Sequence, residues 1–560
     1  MLHFLIDVVS AILVLTGASS PEDLGESEME CFQHYAEHPL RINQVSRSRL
    51  LSSGLFSAYQ VASLEDYRSR SGDILGVTEL GLVDGVGAET AEALSLFVSF
   101  ESSLAPGALE DRRVRQSLMV RGGARIKGVD SAAFYGAKYH LELGERGEFY
   151  WSTRTSYSVQ KLSPGTFSAA LYGRRGGKLV LGDFAARFGQ GLALWSSFSM
   201  SGFSSVAAFR RSASGFAPTG SFSPRFRGAA ADFTRGRWTF SAAAALSGLH
   251  KGARLEIMPM AAVSRLGRRG QVGLQAFYKD GLVASADGTL GLGHFTLFGE
   301  AALSSRKVAE GGYTLQRTRL AAVGGVTWSP AYQTRFCILA RYYPSGYYDA
   351  FSGAVRSASK VSGERGVSAG AKWRSLELTA DAAVYPEKGT AAYKGLLVLS
   401  PVFKAGAAEI NPYLRIAERY RTADAPPWRH ECRAGIKSGL RGFLLNGRFD
   451  VVHMTATALA GYAEAGWKTP SDTAVVQLSA IFRATFFRVD NWDDRIYCYE
   501  RDLPGSFSVP ALYGRGHSVS AIIGMKTRRH SLHLKASILR NTSPGRPSSS
   551  EIKIQYQLKL

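Results

Sequence analysis

The sequence lacks several features that would place it in common protein classes. Its 560 residues contain no run of 18 or more apolar residues, which excludes a membrane-spanning helix. Its four cysteines lie far apart, with neither a CxxC pair nor a zinc-finger spacing, and indicate no disulfide framework. No GxSxG elbow, HExxH pair, phosphate-binding loop or dinucleotide fingerprint occurs. The sequence therefore predicts no enzyme, no cofactor and no metal site.

Positive charge is scarce in the first part of the chain. Residues 1–105 contain five Arg, no Lys and fifteen acidic residues, for a net charge of −10. The whole chain carries +21, so the remainder carries +31. A change of this kind indicates a domain boundary, and residues 102–107 have the composition of a linker. We therefore predict an acidic domain at 21–105 and a basic domain at 106–560.

The first 20 residues are typical of an export signal. Residues 8–15 form a short apolar core, and Gly17, Ala18 and Ser19 supply small residues near a cleavage point. The start is unusual, because His3 is the only candidate positive charge before Asp7. The alternative is a buried N-terminal helix that stays in the protein.

Most of the chain after residue 110 alternates between apolar and polar residues. The last nine residues, 552–560, do so strictly, and segments such as 335–342, 376–384 and 476–486 repeat the pattern. A period of two places successive side chains on opposite faces of a strand. These strands run longer than those of a soluble sandwich or propeller, which is the alternative. We predict a mainly β protein, a transmembrane antiparallel barrel of about 18–24 strands.

A barrel of this size has a lumen that its own side chains cannot fill. The export signal and the barrel together predict the outer membrane of a Gram-negative cell, in contact with lipid and lipopolysaccharide, with the acidic domain in the periplasm. The excess of positive charge in the barrel favours anionic cargo. The leading prediction is a channel or a component of an outer-membrane assembly.

Residues 83–94 have the pattern of a helix-hairpin-helix turn. Gly85 and Gly87 permit a tight turn, Val86 fills the space between the two helices, and Ala88 begins the second helix. A less complete copy precedes it, marked by Gly54 and Leu55. The acidic domain is therefore predicted to contain two helical hairpins.

Such hairpins bind DNA when the amides of the turn hold a phosphate and nearby basic side chains add charge. Asp84 and Glu89 flank the second hairpin, where the charge for phosphate binding is absent. The first hairpin is better flanked, by Arg41, Arg47 and Arg49, but lacks the second glycine. A protein contact or a structural role is favoured, and DNA binding is the alternative.

Several stretches resemble a family of Gram-negative outer-membrane proteins in which a helix-hairpin-helix module precedes a long barrel. In the acidic domain these are Tyr59-Gln60-Val61, Ser63-Leu64, Tyr67-Arg68, Gly72-Asp73-Ile74-Leu75 and Glu79-Leu80. In the barrel they are Gly182-Asp183-Phe184, Phe188-Gly189-Gln190-Gly191-Leu192, Arg495-Ile496-Tyr497-Cys498-Tyr499-Glu500 and Tyr513-Gly514-Arg515-Gly516. The resemblance implies architecture and location. The hairpin module alone also resembles that of DNA receptors used in natural competence.

Two polar features of the barrel have a structural interpretation. The glycines in residues 188–192 predict a bend or a loop that folds inward. Glu377 and Asp381 lie four residues apart, two steps along one strand face, as an acid/base pair could, but ordinary polar lumen residues are the favoured interpretation.

The opposite charges of the two domains lead to a functional hypothesis. The acidic domain is expected to dock at the periplasmic mouth or in the lumen of the barrel and to close it in part, or to bind a partner protein of the envelope. A solvated acidic domain with no docking is the simpler alternative. Two further alternatives are a DNA-uptake channel and a non-conducting anchor in a secretion or biogenesis complex.

Overall fold

A computed structural model describes most of the chain. The described residues are 8–18, 20–104, 114–158, 162, 165–173, 176–196, 205–221, 226–247, 256–310, 313–331, 333–406, 408–470 and 474–560. Within them the chain forms a helical domain followed by a closed antiparallel barrel of 24 strands. The predicted fold class is confirmed, at the upper limit of the predicted strand number. The predicted boundary at 105/106 lies outside the described residues.

The helical domain consists of six helices and one pair of short parallel strands in the described part of the chain. They are α1 Val8–Thr16, α2 Glu26–Glu37, β1 Leu40–Arg41, α3 Arg47–Ser53, α4 Ala58–Ser71, α5 Val77–Leu82, α6 Gly87–Leu94 and β2 Val98–Ser99. None of the described helices is both long and apolar enough to cross a bilayer.

Local sequence explains where these helices begin and turn. Ser57 and Gln60 form a reciprocal capping box at the start of α4. The Gln60 side chain also donates to the Gly85 carbonyl at 2.8 Å and so links the two glycine turns. Gly54 and Gly85 both adopt positive φ angles, 70° and 79°, which a residue with a Cβ rarely adopts. Helices lie on both sides of each turn, α3 and α4 around Gly54 and α5 and α6 around Gly85.

The helical domain has its own apolar core. Val61 and Leu64 of α4 and Ala91 and Leu94 of α6 are fully buried in it, as their spacing predicts. Asn43 is also fully buried, and its side chain exchanges two hydrogen bonds of 2.9 Å with the backbone of Ile74. The Asn43 side chain thus pairs backbone groups of Ile74 that would otherwise be buried without a hydrogen-bond partner.

Helix α1 covers most of the predicted export signal. It packs against α2 and α6, with Ala11 and Ile12 fully buried. A buried N-terminal helix, the alternative to a signal, would have this arrangement. Cleavage near residue 20 stays a prediction, which the intact mass of the protein isolated from membranes would test.

The barrel strands follow one another around the ring. The first are β3 Val114–Lys127, β4 Asp130–Leu143, β5 Gly147–Arg154, β6 Thr166–Tyr172, β7 Gly177–Arg187, β8 Gly215–Pro218, β9 Phe226–Arg235, β10 Trp238–Ser247, β11 Glu256–Leu266, β12 Gly270–Tyr278, β13 Gly281–Leu292, β14 Phe295–Glu310 and β15 Tyr313–Ala331. The next are β16 Thr334–Tyr343, β17 Glu364–Trp373, β18 Leu376–Tyr385, β19 Thr390–Leu399, β20 Phe403–Ala405, β21 Ala408–Arg421, β22 Trp428–Leu440, β23 Phe443–His453, β24 Thr457–Lys468 and β25 Gln477–Val489. The last are β26 Ile496–Tyr497, β27 Ala511–Leu512, β28 Gly514–Lys526, β29 His530–Asn541 and β30 Ser549–Lys559.

Four of these strands are short additions to the 24-strand ring. β8 pairs with the end of β7, β20 pairs with the start of β21, and β26 and β27 pair with each other inside a loop. β30 closes the ring against β3, from Lys559 opposite Ser117 to Ser549 opposite Lys127. The alternating C-terminal segment is therefore the closing strand.

The two faces of the wall differ as the alternation predicts. In β25 the side chains of Phe482 and Phe486 point outward and are half exposed, whereas Arg483 and Thr485 are buried toward the lumen. In β18 Leu378 points outward and Asp381 inward in the same manner. The outer face is apolar, and the lumen face carries the charges.

The two ends of the barrel are distinct. At one, the terminal end, lie both termini of the barrel and mostly short turns, such as 144–146, 236–237 and 374–375. At the other, the loop end, lie the long connections after β7, β16 and β25. Exposed aromatic side chains gather at both ends of the outer face. At the terminal end they are Trp238, Phe295, Trp328, Phe336, Trp373, Phe443 and Trp467, and at the loop end Tyr278, Tyr342, Tyr393 and Trp428.

Candidate functional site

The helical domain enters the lumen from the terminal end. Lumen-facing residues of several strands bind it: Lys178 donates to Ser52 at 2.8 Å, and Gln557 donates to Glu37 at 2.9 Å. On β17, Lys372 forms an ion pair of 2.7 Å with Glu89. On β4, Glu142 binds Arg49. Strands β4 and β17 lie on opposite sides of the ring, so the domain spans the lumen from wall to wall.

Glu22 forms a polar contact between the domain and the wall in the interior of the lumen. It lies in a short 3-10 turn, Pro21–Asp23, and its carboxylate accepts hydrogen bonds from Arg433 at 3.2 Å and from Arg448. The backbone amide of Tyr499 donates to the same carboxylate at 2.7 Å. Burial alone would raise the pKa of Glu22, but the two guanidinium groups and this amide hold it well below its ordinary value. Glu22 is therefore an ionised group in a buried basic pocket.

Arg49 is a second anchor, near the terminal end. It lies on α3 with its side chain almost fully buried, 2.8 Å from Glu142 and 2.6 Å from Glu145. It also donates to the Gly144 carbonyl at 3.0 Å, so it binds both the end of β4 and the following turn. Here the acidic domain supplies the cation and the basic barrel supplies the carboxylates. The net charges of the two domains do not predict this contact.

A loop from the other end meets the helical domain in the lumen. Residues 490–513, between β25 and β28, fold inward, and basic side chains of the wall bind their backbone. Arg448 donates to the Tyr497 carbonyl at 3.0 Å and Arg483 to the Tyr499 carbonyl at 2.8 Å. Lys535 forms an ion pair of 3.0 Å with Glu500 of the loop. Several basic residues of the lumen, whose charge favoured anionic cargo, therefore bind this loop and Glu22 instead.

Residues 188–192 begin a second inward loop, in agreement with the predicted bend. The Glu300 carboxylate of β14 accepts hydrogen bonds from the amides of Gln190 at 2.7 Å, Leu192 at 2.9 Å and Ala193 at 3.2 Å. Gly189 and Gly191 have positive φ angles, which allow the chain to turn around this carboxylate. Phe188 packs against the buried aromatic cluster below the loop.

The next inward loop, residues 344–363 between β16 and β17, crosses residues 188–192. Gly353 and Ser352 donate to the Gly191 carbonyl at 2.8 and 2.9 Å, and Tyr347 donates to the Leu192 carbonyl at 3.1 Å. These contacts make the motif a junction between two loops of the loop end. Its role in the structure is the one that the glycines indicate.

The two carboxylates considered as an acid/base pair have structural partners. Glu377 accepts a hydrogen bond of 2.6 Å from the Val206 amide. Asp381 is buried and lies 2.8 Å from Arg341 in an ion pair. Both face the lumen, as ordinary polar residues of the wall do.

The second hairpin turn is exposed, whereas the first faces the interior of the molecule. Gly85, Gly87 and Ala88 are exposed, and Val86 is buried between α5 and α6. Leu55 and Gly54 of the first turn face the interior of the molecule. The second turn could offer amides to a phosphate, but the nearby Lys372 of the barrel is already paired with Glu89.

The three arginines predicted as a basic flank have other partners. Arg41 pairs with Glu101 at 3.3 Å, Arg47 lies 3.6 Å from Glu65 and donates to the Gly236 carbonyl, and Arg49 is the buried anchor described above. The prediction that they serve a DNA phosphate finds no support in these contacts. DNA binding by the hairpins stays a prediction.

Sequence reasoning missed the residues that join the two domains. Glu22 was counted among the acidic residues but not singled out, and its partners Arg433 and Arg448 lie more than 400 positions away. The sequence indicated only the difference in net charge between the domains. That difference predicts that they attract each other, but it does not identify which residues form ion pairs.

Comparisons with known proteins give likenesses of shape alone. No model of a known protein family matches the chain, and no curated protein matches its sequence. Among solved structures it is similar to the P pilus usher PapC translocation pore, with 10% identity and a TM-score of 0.42 over 80% of this chain and 99% of that one. It is similar to Pseudomonas aeruginosa OccK2 (OpdF) in complex with glucuronate, with 10% identity and a TM-score of 0.32 over 80% of this chain and 99% of that one. A PapC chain in an E. coli P pilus tip assembly intermediate gives 11% identity and a TM-score of 0.49, over 79% of this chain and 60% of that one.

Proposed function

We propose that this protein is an outer-membrane channel that its own helical domain closes from the periplasmic side. The outer face supports the membrane location. It is apolar along the strands and carries exposed aromatic side chains at both ends, which is the pattern of a barrel in lipid. A closed ring also leaves no unpaired strand edge in the bilayer.

The orientation follows from the connections. Bacterial outer-membrane barrels have short turns on the periplasmic side and longer loops outside the cell. The terminal end has the short turns, and the helical domain enters there. These connections support a periplasmic position for the domain and an outer position for the inward loops at 188–196, 344–363 and 490–513.

The proposal of a gate rests on one observation, the position of Glu22. It lies among lumen residues of β22 and β23 and also binds the inward loop at Tyr499. The helical domain and an outer loop therefore meet at one carboxylate inside the barrel. Withdrawal of the domain would break this contact and clear part of the lumen.

Conductance in planar bilayers tests the proposal. Deletion of residues 21–104 should raise the single-channel conductance several-fold over that of the full chain. Asp66→Asn is a matched control in the full chain, because it removes one acidic charge whose ion pair, with Arg70, lies within the helical domain. It should conduct like the wild type.

Equal conductance with and without the domain would contradict the gate. In that case a non-conducting anchor for a partner protein is the better proposal, and co-purification from outer membranes would identify that partner. A gel shift with DNA at low salt, on the full chain in detergent, tests the DNA-uptake alternative; we expect no shift beyond that of the bare barrel.

A further inference from the structure

Three histidines meet where the helical domain faces the barrel wall. His34 lies in the last turn of α2, His38 directly follows the end of that helix, and His140 lies on the lumen face of β4. One ring nitrogen from each lies within 4.8 Å of the other two. The His34 and His140 rings stand nearly perpendicular, with their centroids 4.5 Å apart. Imidazoles in this arrangement are the usual ligands of divalent transition metals.

The rings have lone pairs to offer. His38 Nδ1 donates to the His34 carbonyl at 3.3 Å, which leaves Nε2 as the ligand atom. His140 is more than nine-tenths buried, and its Nε2 has no hydrogen-bond partner among the described residues. His34 Nε2 lies 3.4 Å from the Tyr150 hydroxyl, which itself donates to Glu148 at 2.9 Å. A buried nitrogen without a partner destabilises the fold, and a bound cation would supply the missing partner.

The surroundings favour a cation and leave room for one. A cavity of about 220 Å³ is lined by these histidines together with Cys31, Glu37 and Tyr150. Two buried carboxylates, Glu142 and Glu148, lie beside His140.

Those carboxylates are already occupied. Glu142 binds Arg49 at 2.8 Å, and Glu148 accepts hydrogen bonds from Tyr150 at 2.9 Å and from Tyr172. The imidazoles are therefore the ligands, and the carboxylates add negative charge around them.

We propose that His34, His38 and His140 bind one divalent transition-metal ion, for which zinc is the reference. Zinc–nitrogen bonds of about 2.0–2.1 Å require ligand nitrogens about 3.3 Å apart, so the rings, whose nitrogens lie within 4.8 Å of one another, would turn toward the ion. Two ligands belong to the helical domain and one to the barrel, so the ion ties the domain to the wall. That consequence rests on the proposed gate, whereas metal binding does not.

Zinc titration of the full-length protein in detergent, against a chromophoric chelator, tests the site. We expect one zinc per chain and a loss of affinity of roughly 100-fold or more in His34→Gln and in His140→Gln, since loss of an outer-shell partner alone costs about 10–100-fold. Cys31→Ser is the matched control within the cavity. The double variant His430→Asn/His453→Asn removes a stacked pair on the outer face. Both controls should bind zinc like the wild type.

Equal zinc affinity in the wild type and His34→Gln would overturn the proposal, and so would loss of binding in Cys31→Ser. Should His140→Gln fail to assemble, X-ray absorption of the zinc-loaded wild type decides. Imidazole nitrogens at about 2.0 Å are expected, and a sulfur at about 2.3 Å overturns the site. Neither measurement uses conductance, so a failed metal site and a failed gate remain distinguishable.

Discussion

The two anchors of the helical domain, Glu22 and Arg49, differ in sign and in depth. Glu22 places an acidic group of the domain between two arginines of the wall, deep in the lumen. Arg49 places a cation of the same domain between Glu142 and Glu145, close to the terminal end. The acidic domain therefore docks through both signs of charge. Net charge explains why the two parts attract one another, but local complementarity fixes the position at which they meet.

Removing the charge of the deep anchor should have the largest effect. Glu22→Gln leaves Arg433 and Arg448 to share one carboxylate, that of Asp450, where the wild type gives them two, and breaking a buried pair costs up to about 3–5 kcal/mol. We expect a strong rise in open probability in single-channel recordings of the full chain, with Asp66→Asn unchanged. If the variant is as closed as the wild type, the deep anchor does not hold the domain.

Loss of the anchor near the terminal end should have a smaller effect. When Arg49 is removed, Glu145, about a quarter exposed, regains water, and the buried Glu142 keeps a second cation, Arg115, at 3.8 Å. Arg49→Gln should therefore weaken docking by about 2 kcal/mol, less than Glu22→Gln. Hydrogen exchange of the α3 and α6 amides measures the difference. A larger effect for Arg49→Gln would reverse the ranking of the two anchors.

The Lys372–Glu89 pair on the opposite wall tests whether burial determines how much each contact contributes to docking. Lys372 and Glu89 are both about one-third exposed, and such pairs contribute between 0 and about 1 kcal/mol. Lys372→Gln should change the exchange of the same amides little. A change equal to that of Arg49→Gln would show that burial does not rank these contacts.

Acidity should leave the deep anchor intact over the ordinary range. The pKa of Glu22 is lowered on docking, so its contribution is present above the undocked value, about 4.3, and is lost as the pH falls through the lower docked value. We expect no change in open probability due to Glu22 between pH 8 and pH 5. The difference between the wild type and Glu22→Gln should shrink only below about pH 4. A difference that disappears already at pH 6 would contradict this assignment.

The local features of the fold could be predicted from sequence because their causes lie within a few residues. The inward Arg483 and outward Phe482 follow from a period of two, and the turns at Gly54 and Gly85 follow from their freedom at positive φ. The strand number was less well determined, since it depends on how many residues the loops use. The inward loop at residues 188–192 was indicated by its glycines.

The pairs that define the candidate site could not be predicted in the same way. Glu22 and Arg433 lie 411 positions apart, and a single sequence carries no information about which carboxylate meets which arginine. The spacing of His34 and His38, one helical turn apart, could have indicated two ligands of a metal site. The third, His140, is brought to them only by the docking of the domain.

Contacts on β4 and on β17 give the helical domain a mechanical role. These strands are diametrically opposite in the ring, so the domain contacts two facing walls through Arg49 and Glu89. A wide barrel can flatten under lateral pressure from the bilayer, because its hydrogen-bonded wall is thin relative to its diameter. By contacting both walls, the domain would resist that deformation. Its removal would therefore change the shape of the pore as well as its occupancy.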